Sequence, residues 1–183
     1  MKSIPTLSFV LASICSLQAE QPSPTPQEFR HQTMSGKDMA GADFGESKFF
    51  RVRLNGASFK DAILVGTTFQ QSDLAKCDFR GATFGPETKF RECTLNDANL
   101  ENANLEGADF SRVNLRGARL VGTKGWGNLS DSTLSEADIR GADFSTAKGE
   151  MSTVQWSGAI YDDATKFPDG LTGEQLGATK AGS

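Results

Sequence analysis

One spacing constrains this chain more than any other property. From Leu95 to Phe110 the sequence reads LNDANLENANLEGADF, with a large apolar residue at every fifth position: Leu95, Leu100, Leu105 and Phe110. The series runs from Phe44 through Phe49, Leu54, Phe59, Leu64, Phe69, Leu74 and Phe79 to Phe84. After one extra residue it resumes at Phe90 and continues to Leu120, and it returns at Leu129, Leu134, Ile139 and Phe144. Neither an amphipathic helix, with apolar residues three and four apart, nor a half-buried strand, with strict alternation, accounts for it. A repeat at a fixed short period accounts for it directly.

Two residues before most of the large residues sits a small one: Ala42, Ser47, Ala57, Thr67, Cys77, Cys93, Ala98 and Ala108 among them. Each unit of five therefore turns one large and one small side chain inward. A straight strand cannot sustain that pattern, so the chain must turn once per unit. Glycines at Gly56, Gly66, Gly81, Gly107, Gly117, Gly122 and Gly141 stand two after the large residue, where a turn calls for positive φ. A chain that turns every five residues coils on itself. Successive coils bond at about 4.8 Å and bury a continuous ladder of Leu and Phe.

The units ADFGE, ANLEN, ANLEG, ADFSR, ADIRG and ADFST resemble those of the pentapeptide-repeat family, over roughly Lys37 to Phe167. The resemblance implies an all-β solenoid: a right-handed quadrilateral β-helix with four units per coil. At about 4.8 Å per coil it would form a rod of about six or seven coils, roughly 30 Å long.

The departures are informative. ATFGPETKF (Ala82 to Phe90) and AIYDDATKF (Ala159 to Phe167) read as two copies of one device, an extra corner residue that bulges outward while the ladder keeps register. Two larger breaks, VGTKGWGNLS and STAKGEMSTVQW, put Gly125 and Gly149 where a large residue belongs. Trp126 and Met151 follow closely enough to fill the gaps. Each break is either an interruption of the coil or a protruding recognition loop, and tolerated loops are the commoner outcome in solenoids.

The front of the chain differs. Lys2 precedes an apolar run from Ile4 to Leu17, and Leu17-Gln18-Ala19 offers a cleavage site, as in a secretory signal peptide. The run is too short for a stable membrane span. The organisation expected is a signal peptide at 1–19, a Pro-rich linker and N-terminal cap at 20–36, the solenoid at 37–169, and a C-terminal cap and tail at 170–183. Short capping helices are expected at both ends. Thr25-Pro26-Gln27-Glu28 is a helix-start pattern that would place Phe29 over the first coil near Met39. Thr172-Gly173-Glu174-Gln175 fits a capping box that would bring Leu171 and Leu176 over the last one.

Catalytic chemistry is not visible. His31 is the only histidine, and C-x-x-C, phosphate-loop and G-x-S-x-G motifs do not occur. Cys77 and Cys93 occupy the small inward slot, where Cys acts as a small apolar residue. Asp43, Asp73, Asp78, Asp109, Asp138 and Asp143 precede the large residue, and Asn99, Asn104 and Asn114 share that position. Interchange of Asp with Asn argues for bonding to the backbone, which either side chain can do, and against acid–base work. No cofactor or metal is implied.

The reading is a non-catalytic exported scaffold, periplasmic or secreted, that binds another protein or a surface, with oligomeric state left open. Phe50, Ile63 and Val65 are outward in the five-residue phase, and with Trp126 they are the possible protein contacts. The resemblance also brings an alternative, since some pentapeptide-repeat proteins are DNA mimics that bind DNA gyrase. Lys37 to Asp169 holds 16 basic and 20 acidic residues, intermixed, so no long acidic face is expected, and neither is nucleic-acid binding.

Overall fold

The computed structural model describes residues 25–168 and 170–182; the expected signal peptide at 1–19 lies outside them. Six short strands are defined: β1 (Glu28–Arg30), β2 (Lys48–Phe50), β3 (Thr68–Gln70), β4 (Lys89–Arg91), β5 (Ile160–Tyr161) and β6 (Thr179–Lys180). β1 to β4 form one parallel sheet in chain order, and β5 pairs with β6, also in parallel. Phe29 lies opposite Phe49 and Phe49 opposite Phe69, so one circuit takes 20 residues, or four units of five.

Single parallel bridges close the rest of each circuit. Thr33, Arg53, Asp73, Thr94, Asn114, Thr133 and Gln155 pair in succession along a second ladder. Asp38, Ser58, Asp78, Asn99, Arg119, Asp138 and Ile160 make a third. A fourth runs Asp43, Ile63, Thr83, Asn104 and Lys124. Apart from Gly125, which has no side chain, the residue after each bridge on these ladders points inward and is buried, as the five-residue phase predicts: Leu54, Leu74, Leu95, Leu100, Leu105 and Leu115 are all at 0 % exposure. Beneath β1 to β4, Phe29, Phe49, Phe69, Phe90 and Phe110 stack at centroid separations of 4.6, 4.8, 5.2 and 4.8 Å. The coil spacing is thus also an aromatic stacking distance, which adds about 0.5–1.5 kcal/mol per pair beyond burial.

The turn position carries positive φ in glycine and non-glycine units alike. His31, Arg51, Gln71, Glu92, Arg112 and Asp131 all have φ between 51° and 59° at the corner after the first ladder. Such conformations cost a non-glycine residue about 1–2 kcal/mol, and ladder bonding on both sides holds them. The Asp and Asn residues act as expected: Asp43, Asp78, Asn99, Asn114 and Asp138 each accept, through Oδ1, the backbone N–H two residues on.

The two bulges use one device. Thr88 Oγ1 donates to Leu64 O at 2.8 Å and accepts from Gly85 N. Thr165 Oγ1 donates to Ile139 O at 3.1 Å and accepts from Asp162 N. In both, a threonine hydroxyl ties the loosened corner to the previous coil.

Both expected capping helices are corrected. At the front, Phe29 lies on β1, and Lys48 N donates to Gln27 O while His31 N donates to Phe50 O. An isolated seven-residue helix is marginal in water, whereas the strand gains ladder bonds and the Phe49 stack. Pairing thus begins at Glu28, ahead of Lys37. At the back, the reciprocal bonds of the capping box do form: Thr172 N donates to Gln175 Oε1, and Gln175 N donates to Thr172 Oγ1. They close one turn and no helix. Gly177, at φ 80°, leads the chain out to β6. Leu176 packs on the core. A side chain at Gly173 would strike the Tyr161 ring at 2.5 Å, so the turn lies directly on that ring.

Candidate protein-contact surface

Ile63 and Val65 flank the inward Leu64 on the fourth ladder, and both point out, at 43 % and 40 % exposure. Their neighbours one coil away are small or short. Val65 sits between Gly45 and Gly85 in the same outward row, and a Cβ on Gly85 would stand 3.0 Å from Val65 Cγ1. Absence of side chains on either side leaves the valine proud of bare backbone. Pro86, in the bulge, and Thr25 and Pro26, where the described chain begins, border the same shallow recess of about 670 Å³. Asp43, Glu46 and Glu87 form its rim. The Glu87 carboxyl is lowered by its hydrogen bond from Lys89 Nζ at 2.6 Å, which holds it as a carboxylate. The arrangement is an apolar floor with a charged rim, the usual anatomy of a protein contact.

The other two expected contacts do not join it. Phe50 lies on β2, half-buried. Arg30 Cζ stands 5.6 Å and Arg51 Cζ 5.1 Å from its ring centroid, and the His31 ring meets it edge-on at 5.5 Å. Trp126 is corrected outright: at 1 % exposure it lies in the core and offers nothing to a partner. Gly125 leaves the ladder slot above Leu105 empty, and the indole enters it, stacking on Phe144 at 4.9 Å and meeting Phe110 at 5.4 Å. Gly127 makes this possible, because a Cβ there would lie 2.2 Å from Ala108 O. Met151 sits in a short 3-10 turn, Met151–Thr153, and is only partly buried against the core. The Arg-Phe50 cluster could not be read from the five-residue phase, since it joins residues one coil apart that sequence spacing lists as unrelated outward positions.

Reactive groups are quiet. Cys77 Sγ donates to Leu54 O, and burial pushes its thiol up to about 12; burial likewise raises Cys93 to about 11. Both are free thiols that stay protonated at neutral pH. Among the described residues no group of three or more His, Cys, Asp or Glu could hold a metal ion, and no helix is long and apolar enough to cross a membrane. Many carboxylates are paired: Asp78 with Arg80 at 2.6 Å, Asp138 with Arg140 at 2.7 Å, Arg116 with Glu136 at 2.7 Å, and Arg119 with Glu101. Hydrogen bonds from Arg80 and Arg140 lower the Asp78 and Asp138 carboxyls.

Residues 42–120 match the family model described as a pentapeptide repeat region. Among solved structures, a trypsin-treated variant of QnrB1, a plasmid-mediated fluoroquinolone resistance protein, is similar at 16 % identity and a TM-score of 0.51, over 85 % of this chain and 92 % of that one. A pentapeptide repeat protein of the Arabidopsis thaliana thylakoid lumen is 22 % identical over 62 % of this chain and 69 % of its own, with a TM-score of 0.42. HetL of the cyanobacterium Nostoc, involved in heterocyst differentiation regulation, is 18 % identical over 83 % and 85 %, with a TM-score of 0.32. No curated protein matches the sequence. At such identities the QnrB1 likeness establishes the fold alone.

Proposed function

Starting from a chain whose residues 42–120 are a pentapeptide-repeat region, we propose that it is a non-catalytic exported scaffold, a right-handed four-sided rod that binds another protein through the fourth ladder. One observation carries the reading. Ile63 and Val65 are two of the three large apolar side chains that stand exposed among the described residues, and they stand together. Ile160, the third, is far along the rod, near the last coil. Paired exposed aliphatics beside a recess are what a contact surface needs, whereas a lone one is ordinary.

The DNA-mimic alternative asks for a long row of unbalanced carboxylates. The third ladder holds Asp38, Asp78 and Asp138, but Arg80 pairs with Asp78, Arg140 pairs with Asp138, and Arg119, on the same ladder, pairs with Glu101. A field so broken does not imitate a phosphate backbone. Export rests on the apolar run from Ile4 to Leu17.

Two measurements test the proposal. Cell fractionation with N-terminal sequencing should find the mature chain outside the cytoplasm, beginning near Glu20. Intact chain from Met1 in the cytosol would turn the reading towards the gyrase-binding alternative. A photo-crosslinking residue at Val65 should capture a discrete protein partner in vivo, and the same residue at Glu106, on the same ladder, should not. Equal capture at both would remove the fourth-ladder recess from the account.

A further inference from the structure

The corner that follows the first ladder carries a second feature, with chemistry opposite to that of the acidic recess rim. Arg30 and Arg51 lie against Phe50 there, Arg30 and Lys48 face Glu28, and Arg53 follows two residues past Arg51, in a chain whose net charge is −4. The Phe50 ring holds the Arg30 and Arg51 guanidinium groups by cation–π contact, which limits their rotamers before any partner arrives. Arg51 Nε donates to Gln71 Oε1 at 2.9 Å, and Gln71 Nε2 donates to Glu92. That bond steadies the Arg51 stem and leaves its two terminal nitrogens without a partner among the described residues. Arg53, two residues on and bridged to Thr33 and Asp73, has no side-chain partner among them either.

The chain already sets one carboxylate on this corner. Glu28 Oε2 accepts from Arg30 Nε at 3.1 Å and from Nη2 at 3.0 Å, while Lys48 Nζ stands 3.6 Å from Oε1. One carboxylate is thus already held by a planar fork backed by an aromatic ring, and Arg51 and Arg53 offer unfilled donors beside it. We propose that Arg51, with Phe50 as its floor, and Arg53, two residues along the corner, dock a short acidic segment of a protein partner. The proposal rests on the scaffold reading and adds the chemistry of what the scaffold holds. A polynucleotide fits less well, because its extended charge would meet the negative remainder of the chain.

The test uses the mature chain and a rhodamine-labelled ten-residue peptide of alternating Glu and Gly, followed by fluorescence anisotropy at low salt. Reversal of charge at Arg51→Glu with Arg53→Glu should weaken binding by about tenfold or more. Phe50→Leu, which keeps every charge but removes the ring, should weaken it by about threefold. Arg112→Glu occupies the same kind of corner three coils on, with φ 59° against 52° at Arg51, and should change little. Equal loss in the Arg112 variant would show diffuse charge attraction and overturn the site, as would absence of peptide binding by the unaltered chain. An oligothymidylate of equal charge that binds as tightly would also overturn it, in favour of a nucleic-acid surface. Capture at Val65 is scored on a different ladder, so the scaffold reading survives or fails separately.

Discussion

Residues 91–122 and residues 123–168 build the same interior from different parts. In the first stretch Leu95, Leu100, Leu105, Phe110, Leu115 and Leu120 arrive on strict phase, and Thr94 pairs with Asn114 and Asn99 with Arg119, 20 residues on. Into and through the second the step varies: Asp109 pairs with Asn128 after 19 residues, Thr133 with Gln155 after 22, and Asp143 with Lys166 after 23. Trp126 refills the buried slot left by Gly125 and Trp156 resumes the second ladder above Leu134, while at Gly149 only the partly buried Met151 follows. What the fold conserves from coil to coil is backbone register and filled volume, while unit length is free to vary where a corner can absorb the difference. The cost shows in the indoles: Trp126 Nε1 and Trp156 Nε1 are buried without hydrogen-bond partners among the described residues, a penalty of about 1–3 kcal/mol each.

The two stretches should differ most at Trp126, one of the two largest side chains of the irregular one. Trp126→Ala should lose about 4–5 kcal/mol in urea unfolding, against about 3 kcal/mol for Leu105→Ala in the regular stretch, because both open cavities in a stacked core and the tryptophan leaves the larger one. Trp126→Phe should stay within about 1.5 kcal/mol, since the ring is kept and an orphaned N–H is removed. If Trp126→Ala were no worse than a surface change, the break would be a loop outside the core.

The two bulges should differ by less. Thr88→Val strips a buried donor from Leu64 O and a partner from Gly85 N, and should cost about 2 kcal/mol. Thr165→Val makes the same change in a half-buried setting and should cost about half as much, because water can reach the abandoned groups. A larger cost at Thr165 would contradict the burial argument.

Acid should act on the irregular stretch through Asp143. Hydrogen bonds from Lys166 Nζ at 2.8 Å, and then from Ser145, hold its carboxyl at about 2 against an ordinary 3.8. A lowered folded-state value means stability that is present above pH 3.8 and lost as pH falls toward 2. Asp143→Asn should therefore flatten the stability profile between pH 4 and pH 2 and leave the backbone bond to Ser145 N in place. The smallest effect belongs to Glu106→Ala, one residue beyond Leu105 and exposed, which should stay within about ±0.5 kcal/mol. Parity between Glu106→Ala and Leu105→Ala would mean that the phase had been assigned to the wrong residues.

The regular stretch was legible because each inward position depends only on spacing. Leu105 is inward for the same reason as Leu100, and Asn104 bonds its backbone just as Asp109 does. Failures arose where a distant coil decides. Thr25 to Glu28 has the local chemistry of a helix start, but Phe49 one coil on draws Phe29 into a strand. The capping box at Thr172 was legible to the level of its two hydrogen bonds and no further, because Gly177 and the pairing of β6 with β5 end the turn. Ile63 and Val65 were legible as outward residues. That Gly45 and Gly85 leave Val65 proud, and that Arg30 and Arg51 close on Phe50, depends on neighbours a full circuit away, which phase alone does not bring together.

The core runs unbroken through the interruption at Gly125, and a single indole can report on it. The chain has two tryptophans, so Trp156→Phe leaves Trp126 as the sole indole reporter. Its fluorescence in the native protein should be blue-shifted and protected from acrylamide, and it should shift red and lose that protection in a single transition together with the β signal in far-ultraviolet dichroism. A red emission freely quenched in the native state would place the indole in solvent and contradict the continuous core.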